Sequence, residues 1–205
     1  MEKYNSYREL RMNEKEGEDY RINWRIGRSG IMVMAPHGGD TEPGTTEIAD
    51  AVAGEEHTFY SFDGLKRYGN SDLHITSACF DEPTALELAK DSDTILTIHG
   101  CKGEEKVVYV GGRNRHLKEK VKKALVNAGF PVREALRFPG ANPQNICNQS
   151  RTKSGVQLEI STGLRKSMLK GLSRSHRKIT TEFFEKFVSV LKGALSEEQI
   201  KRRHT

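Results

Sequence analysis

Three short segments place reactive side chains where a strand should end. In Ala35-Pro36-His37-Gly38-Gly39-Asp40-Thr41-Glu42, His37 leaves an apolar run and two glycines permit a sharp turn. Glu42 can then swing back beside the imidazole, ahead of a helix that would fix it. Ile98-His99-Gly100 ends a second apolar run on another histidine. Glu159 lies in Gly155-Val156-Gln157-Leu158-Glu159-Ile160-Ser161, where Gln157 and Glu159 share the face opposite Val156, Leu158 and Ile160. Two histidines and a carboxylate suit a catalytic zinc site, which is tetrahedral and keeps one position for water. Zinc brings the pKa of that water to about 7. Amide cleavage also needs a carboxylate to take and deliver protons, because the leaving amine must be protonated. His37, Glu42 and His99 could be the ligands, with Glu159 as general base and acid. Cys101, two residues past His99, could be a thiolate ligand or a nucleophile, but a small packed side chain is the plainer reading.

These residues need a scaffold that brings strand ends together. Gly30–Pro36 and Asp93–His99 are continuous apolar runs of the kind buried on both faces of a sheet. Lys106–Val110 and Val156–Ile160 are further strands, and His57–Phe62 and Leu73–Thr76 short ones. Thr45–Ala53 reads as a helix with acidic Glu47 in its first turn. Pro83–Lys90 has proline at a first helical position. His116–Gly129 puts Leu117, Val121, Ala124, Leu125 and Ala128 on one face and stops at glycine. Ile179, Phe183, Phe184, Phe187, Val188 and Leu191 give the apolar face of a long C-terminal helix. Strand–helix alternation predicts one α/β domain over 1–205, with a mixed, mostly parallel central sheet flanked by helices. Segments 1–20 and 196–205 are expected to be peripheral or frayed. Phe138–Arg151 is a Pro/Gly/Asn-rich stretch too long for a simple connector.

The chain has 205 residues, enough to bury a core without staples. Three cysteines (Cys79, Cys101, Cys147) make no CxxC pair, which excludes a disulfide scaffold and a Cys-type zinc finger. No apolar run approaches the roughly 20 residues of a membrane helix. The polar start lacks the apolar region of a secretory signal, so a cytoplasmic protein is expected. Net charge is +5, but residues 1–112 carry a balance of −9 and residues 113–205 one of +14. Such asymmetry points to a polyanionic partner.

The stretches APHGGDTEPGTTEIA, LTIHG and NICNQSRTKSGVQLEISTGLR resemble the poly-gamma-glutamate hydrolase family, over nearly the whole chain. Members occur in phages of capsulated Bacillus and in bacterial genomes. The resemblance implies a compact zinc metallocarboxypeptidase-like fold and cleavage of gamma-glutamyl linkages. It implies one zinc per chain on His37, Glu42 and His99, with Glu159 as acid/base. The wider metallocarboxypeptidase pattern has its carboxylate three positions after the histidine. That position here is Asp40, the competing ligand; family likeness and longer side chain favour Glu42.

An anionic gamma-glutamyl polymer or glutamyl substrate would give the basic half a use. Arginine grips carboxylates bidentately. Arg113, Arg151 and Arg165 are the candidate clamps, each near a strand end. Asn145 and Asn148 could donate amides to substrate, or hold their loop through Asx-turns. Glu47 and His74 are candidates to orient the zinc-binding imidazoles. A zinc deacylase of small N-acyl amino acids is the alternative enzyme. A nucleic-acid-binding protein is disfavoured, because Phe183, Phe184 and Phe187 share an apolar helix face and do not interleave with basic residues.

Overall fold

The computed structural model describes residues 2–202. Seven strands form one sheet in the order β1-β3-β2-β4-β7-β5-β6: β1 (Tyr20–Arg25), β2 (Ile31–Gly39), β3 (Thr58–Gly64), β4 (Thr94–Cys101), β5 (Val108–Gly112), β6 (Val132–Glu134) and β7 (Val156–Ser161). The inner strands β3, β2, β4 and β7 run parallel. β1 is antiparallel to β3 and β5 to β7, while β6 is parallel to β5. Parallel strands need long crossovers, and helices supply most of them here.

Both sheet faces are covered, which is why the central strands read as unbroken apolar runs. One core joins Val33, Ala35, Leu96, Ile98, Leu158 and Ile160 to α2 (Thr45–Ala53), α4 (Arg115–Asn127), α5 (Thr162–Met168) and α6 (Glu182–Arg202). The other joins Met32, Met34, Tyr60 and Phe62 to α1 (Tyr7–Asn13) and α3 (Pro83–Asp91). Each buried Leu, Ile or Phe contributes about 1.5–3 kcal/mol through removal from water. Segment 2–20, expected at the periphery, sends four side chains into this second core: Tyr4, Tyr7, Leu10 and Tyr20 are buried, and Tyr20 stacks on Phe62 with centroids 4.8 Å apart.

Elsewhere, Leu73–Thr76 is no strand; a 3-10 turn, Asn70–Leu73, leads into extended loop. Ile179 lies outside α6 and is half exposed. The tail expected to fray at 196–205 is helical as far as Arg202, and residues 203–205 lie outside those described.

One irregularity in β2 positions the site. The pairing with β3 shifts between Ala35 and Gly38, a β-bulge that sets Ala35 opposite Ser61 and Gly38 opposite Asp63. Strict alternation would aim His37 to the side of Val33 and Ala35. The extra residue reverses this, and His37 packs against Phe80 and Ile75 of the opposite core. The neighbouring strand β4 follows its alternation undisturbed, so Thr97 and His99 share this same face with Gln157 and Glu159 of β7.

Candidate metal centre

The bulge leads into a turn closed by the Glu42 backbone N–H donating to the His37 carbonyl at 2.9 Å. Gly39 makes the turn in left-handed backbone at φ 62°. The result sets the Glu42 Oε1 3.2 Å from His37 Nδ1, and His37 Nδ1 3.2 Å from His99 Nδ1. Glu42 Oε2 lies 3.7 Å from His99 Nδ1. His37, Glu42 and His99 are thereby the one group of metal-capable donors among the described residues, all ligand atoms within 4.8 Å of one another.

Hydrogen bonds fix which atoms face inward. His37 Nε2 lies 2.8 Å from the Ile75 carbonyl, so that nitrogen carries the proton and Nδ1 presents a lone pair. His99 Nε2 lies 3.4 Å from Ser77 Oγ. Zinc–nitrogen bonds of about 2.0–2.1 Å in a regular tetrahedron put neighbouring donors about 3.3 Å apart, and the observed 3.2 Å edges fit that figure. The field fits too. Burial opposes charge on Glu42, yet His37 and His99 hold its carboxyl far below the usual carboxylate range. Burial opposes charge on His99 as well, but the Glu42 hydrogen bond and the Glu159 charge outweigh it and raise its pKa.

Gly100 joins the triad to the cleft wall. Its N–H donates to Glu42 Oε2 at 2.7 Å. A Cβ there would meet the Arg165 Cζ at 2.6 Å, so only glycine lets the guanidinium lie against it. A cleft of about 650 Å³ opens beside the triad, lined among others by Glu42, His74, Lys102, Thr162 and Arg165.

Glu159 is the cross-strand partner of His99 and is buried. Burial, then the Glu42 charge, push its pKa up, against the pull of His99. Gln157 Nε2 donates to Glu159 Oε1 at 3.1 Å and is itself oriented by Asn145, whose Nδ2 donates to Gln157 Oε1 at 2.9 Å. Asn145 Oδ1 accepts from the Cys147 N–H. Asn145 thus reaches the carboxylate through Gln157, a residue whose position two before Glu159 on the polar face was the available signal. Asn148 instead holds its loop, donating to the carbonyls of Gly140 and Asn142 and accepting from the Gly155 N–H.

Other expected site residues fall elsewhere. Asp40 points away from the triad, paired with Arg174 and Arg177, so Glu42 is the carboxylate of the cluster. Glu47 pairs with Arg177 at 2.7 Å and touches no imidazole of the triad. Because β5 is antiparallel to β7, its C-terminal end sits opposite Val156 and carries Arg113 to the end of the sheet where β7 begins, away from Glu159. Arg151 lies at that same end, bonded to the Asp91 carbonyl and Asp93, just before β4. Arg165 does line the cleft, but its donors go to the carbonyls of Ile160, Pro43 and Cys101. Burial and the Glu159 charge push the Cys101 thiol up to about 11, leaving it a neutral packing residue. His74 stacks on His37 with centroids 3.8 Å apart and meets Glu2 at its outer nitrogen, 2.9 Å away. Burial and then His37 lower its pKa to about 4, so it is neutral near pH 7.

The fold and site define a class: a mixed-sheet α/β protein with a metal-capable triad at the carboxyl ends of parallel strands. More particularly, residues 4–190 match the model of the poly-gamma-glutamate hydrolase family, and the chain belongs to that family. It is 38% identical to the UPF0714 protein YndL of Bacillus subtilis strain 168 over 92% of this chain and 75% of that protein. It is 36% identical to the SPbeta prophage-derived UPF0714 protein YoqZ of the same organism, over 96% and 72%. Among solved structures, a bacteriophage poly-gamma-glutamate hydrolase superposes with TM-score 0.94 at 32% identity, covering 97% of this chain and 98% of that one. The zinc-free apo form of YndL gives 0.92 at 36% identity, covering 97% and 99%. No helix of the described residues is long and apolar enough to cross a membrane.

Proposed function

We propose that the chain is a zinc-dependent hydrolase of gamma-glutamyl amide bonds in poly-gamma-glutamate. The observation that carries the metal is the donor spacing of His37, Glu42 and His99, 3.2 Å from His37 to each partner and 3.7 Å between Glu42 and His99. A zinc-free apo form of the related YndL supports zinc as its identity. The bacteriophage hydrolase, similar along its full length, supports the substrate. When bound, zinc supplies Lewis acidity that polarises an amide carbonyl and acidifies water.

The chain's own residues do the rest. Ile75 and Ser77 hold the imidazoles so that both Nδ1 atoms face the metal position. Gly100 steadies Glu42 through its N–H. Glu159 Oε1 is engaged by Gln157, which leaves Oε2 to accept a proton from water and return it to the leaving amine. A carboxyl whose pKa is raised by burial suits both halves of that transfer. Comparing turnover of gamma-linked polyglutamate, alpha-linked polyglutamate and a small N-acyl glutamate tests the reading. Cleavage confined to the gamma-linked polymer is expected; turnover of only the small substrate would replace the polymer hydrolase with a deacylase.

A further inference from the structure

Glu2 is held at the cleft rim by contacts the reaction does not use. Its Oε1 accepts from Thr76 Oγ1 and lies against His74 Nδ1, both at 2.9 Å, and its Oε2 accepts the Thr76 backbone N–H at 2.9 Å. Three donors thus converge on both oxygens of one carboxylate. The far side of the same His74 ring stacks on His37, and His74 Nε2 lies 3.9 Å from Glu42 Oε1. One imidazole therefore separates the gripped carboxylate from the metal-capable triad.

The grip is not needed to hold the chain down. Tyr4 is buried and donates to Glu14 at 2.6 Å, anchoring the segment two residues further on. Thr76 is exposed, so water would satisfy its donors if Glu2 left. Exchange of one carboxylate for another costs the fold little.

We infer that His74 and Thr76 form a carboxylate-binding subsite of the cleft, filled here by the chain's own Glu2 and taken by a substrate carboxylate when one binds. The assignment of that carboxylate to a glutamyl unit rests on the function proposed above; the subsite does not. Glu2 acts as a tethered competitor, and short tethers give effective concentrations on the order of millimolar. For a carboxylate of intrinsic Kd about 0.1–0.5 mM, removing it should raise the apparent affinity by about three- to tenfold.

The test titrates glutarate into the purified protein by calorimetry. Glu2→Ala should bind glutarate about three- to tenfold more tightly than wild type. Adding Thr76→Val to Glu2→Ala removes one of the three donors and should reduce the gain, whereas Thr76→Ser should keep it in full. KM for gamma-linked oligoglutamate should fall in Glu2→Ala. Unchanged glutarate affinity in Glu2→Ala, or a gain undiminished by Thr76→Val, overturns the subsite, the latter pointing to glutarate on the metal. Glutarate binding that follows this pattern in a protein inert toward oligoglutamate would uphold the subsite and sink the proposed substrate instead.

Discussion

Glu159→Gln separates the proton-handling role from everything structural about this position. The side chain is buried, its Oε1 accepts from Gln157 at 3.1 Å, and its backbone pairs with β4 opposite His99. Glutamine retains the carbonyl oxygen that Gln157 needs and nearly the same volume. What it loses is the second oxygen, replaced by an amide that cannot accept a proton. A general acid–base group contributes about 10²- to 10⁴-fold, so kcat should fall by that factor, or about 3–5 kcal/mol at 1.36 kcal/mol per decade. Stability of the metal-free protein should rise. Burial raises the Glu159 pKa, meaning that the charged form is disfavoured in the folded chain, and a neutral glutamine removes that cost at pH 7. The assay is kcat on gamma-linked polyglutamate beside thermal unfolding and zinc content. An active variant, within about threefold of wild type, would refute the reasoning. A variant that is inactive because it has lost its metal would move Glu159 into the ligand set.

Gly100→Ala should destabilise the fold by about 1–3 kcal/mol, because its Cβ would lie 2.6 Å from the buried Arg165 guanidinium carbon; an unchanged melting temperature contradicts this. Arg113→Ala and Arg151→Ala should leave KM within about twofold of wild type, since both lie at the end of the sheet where β4 and β7 begin, away from Glu159; a large rise in KM for either would put that end in the substrate path. Glu14 gives a pH-dependent stability term. Burial opposes its charge, but Lys66, Tyr4 and Lys3 hydrogen-bond to it and lower its pKa from 4.5 to about 2. A depressed carboxyl stabilises the fold above its unfolded pKa, and that contribution drains away as pH falls from 4.5 to about 2. Denaturant unfolding across that window should show wild type losing its advantage over Glu14→Gln; a constant difference would show that the contacts do not hold the charge.

The central strands were legible because two-sided burial leaves an unambiguous apolar run, as in Ile31–Ala35 and Thr94–Ile98. Helix α2 was legible in extent, matching Thr45–Ala53 at both ends with acidic Glu47 in its first turn, although Gly44 takes the N-cap position without a side-chain cap bond. Strand direction was not, because an apolar pattern reads the same either way. That is why β5 was taken to deliver Arg113 to the site when it runs opposite to β7. Three-residue β6 and the polar edge strand β1 were missed, having little core-facing pattern to show. The triad was read from strand-end histidines, but not the bulge that puts His37 on the His99 face, since a one-residue shift in pairing leaves no compositional mark. Five cations of the basic half pair with the acidic half: Arg174 and Arg177 with Asp40, Arg177 with Glu47, Arg133 with Glu105, Lys166 with Glu104 and Arg151 with Asp93.

Metal content tests the central claim most directly. Elemental analysis of the purified wild-type protein should give one zinc per chain, held by the three donors that converge to within 4.8 Å. His37→Ala and His99→Ala should each lose it while remaining folded by circular dichroism, and Asp40→Asn should keep it, because Asp40 is turned toward Arg174 and Arg177. Zinc retained at full stoichiometry in both histidine variants, or lost from Asp40→Asn alone, would contradict the assignment.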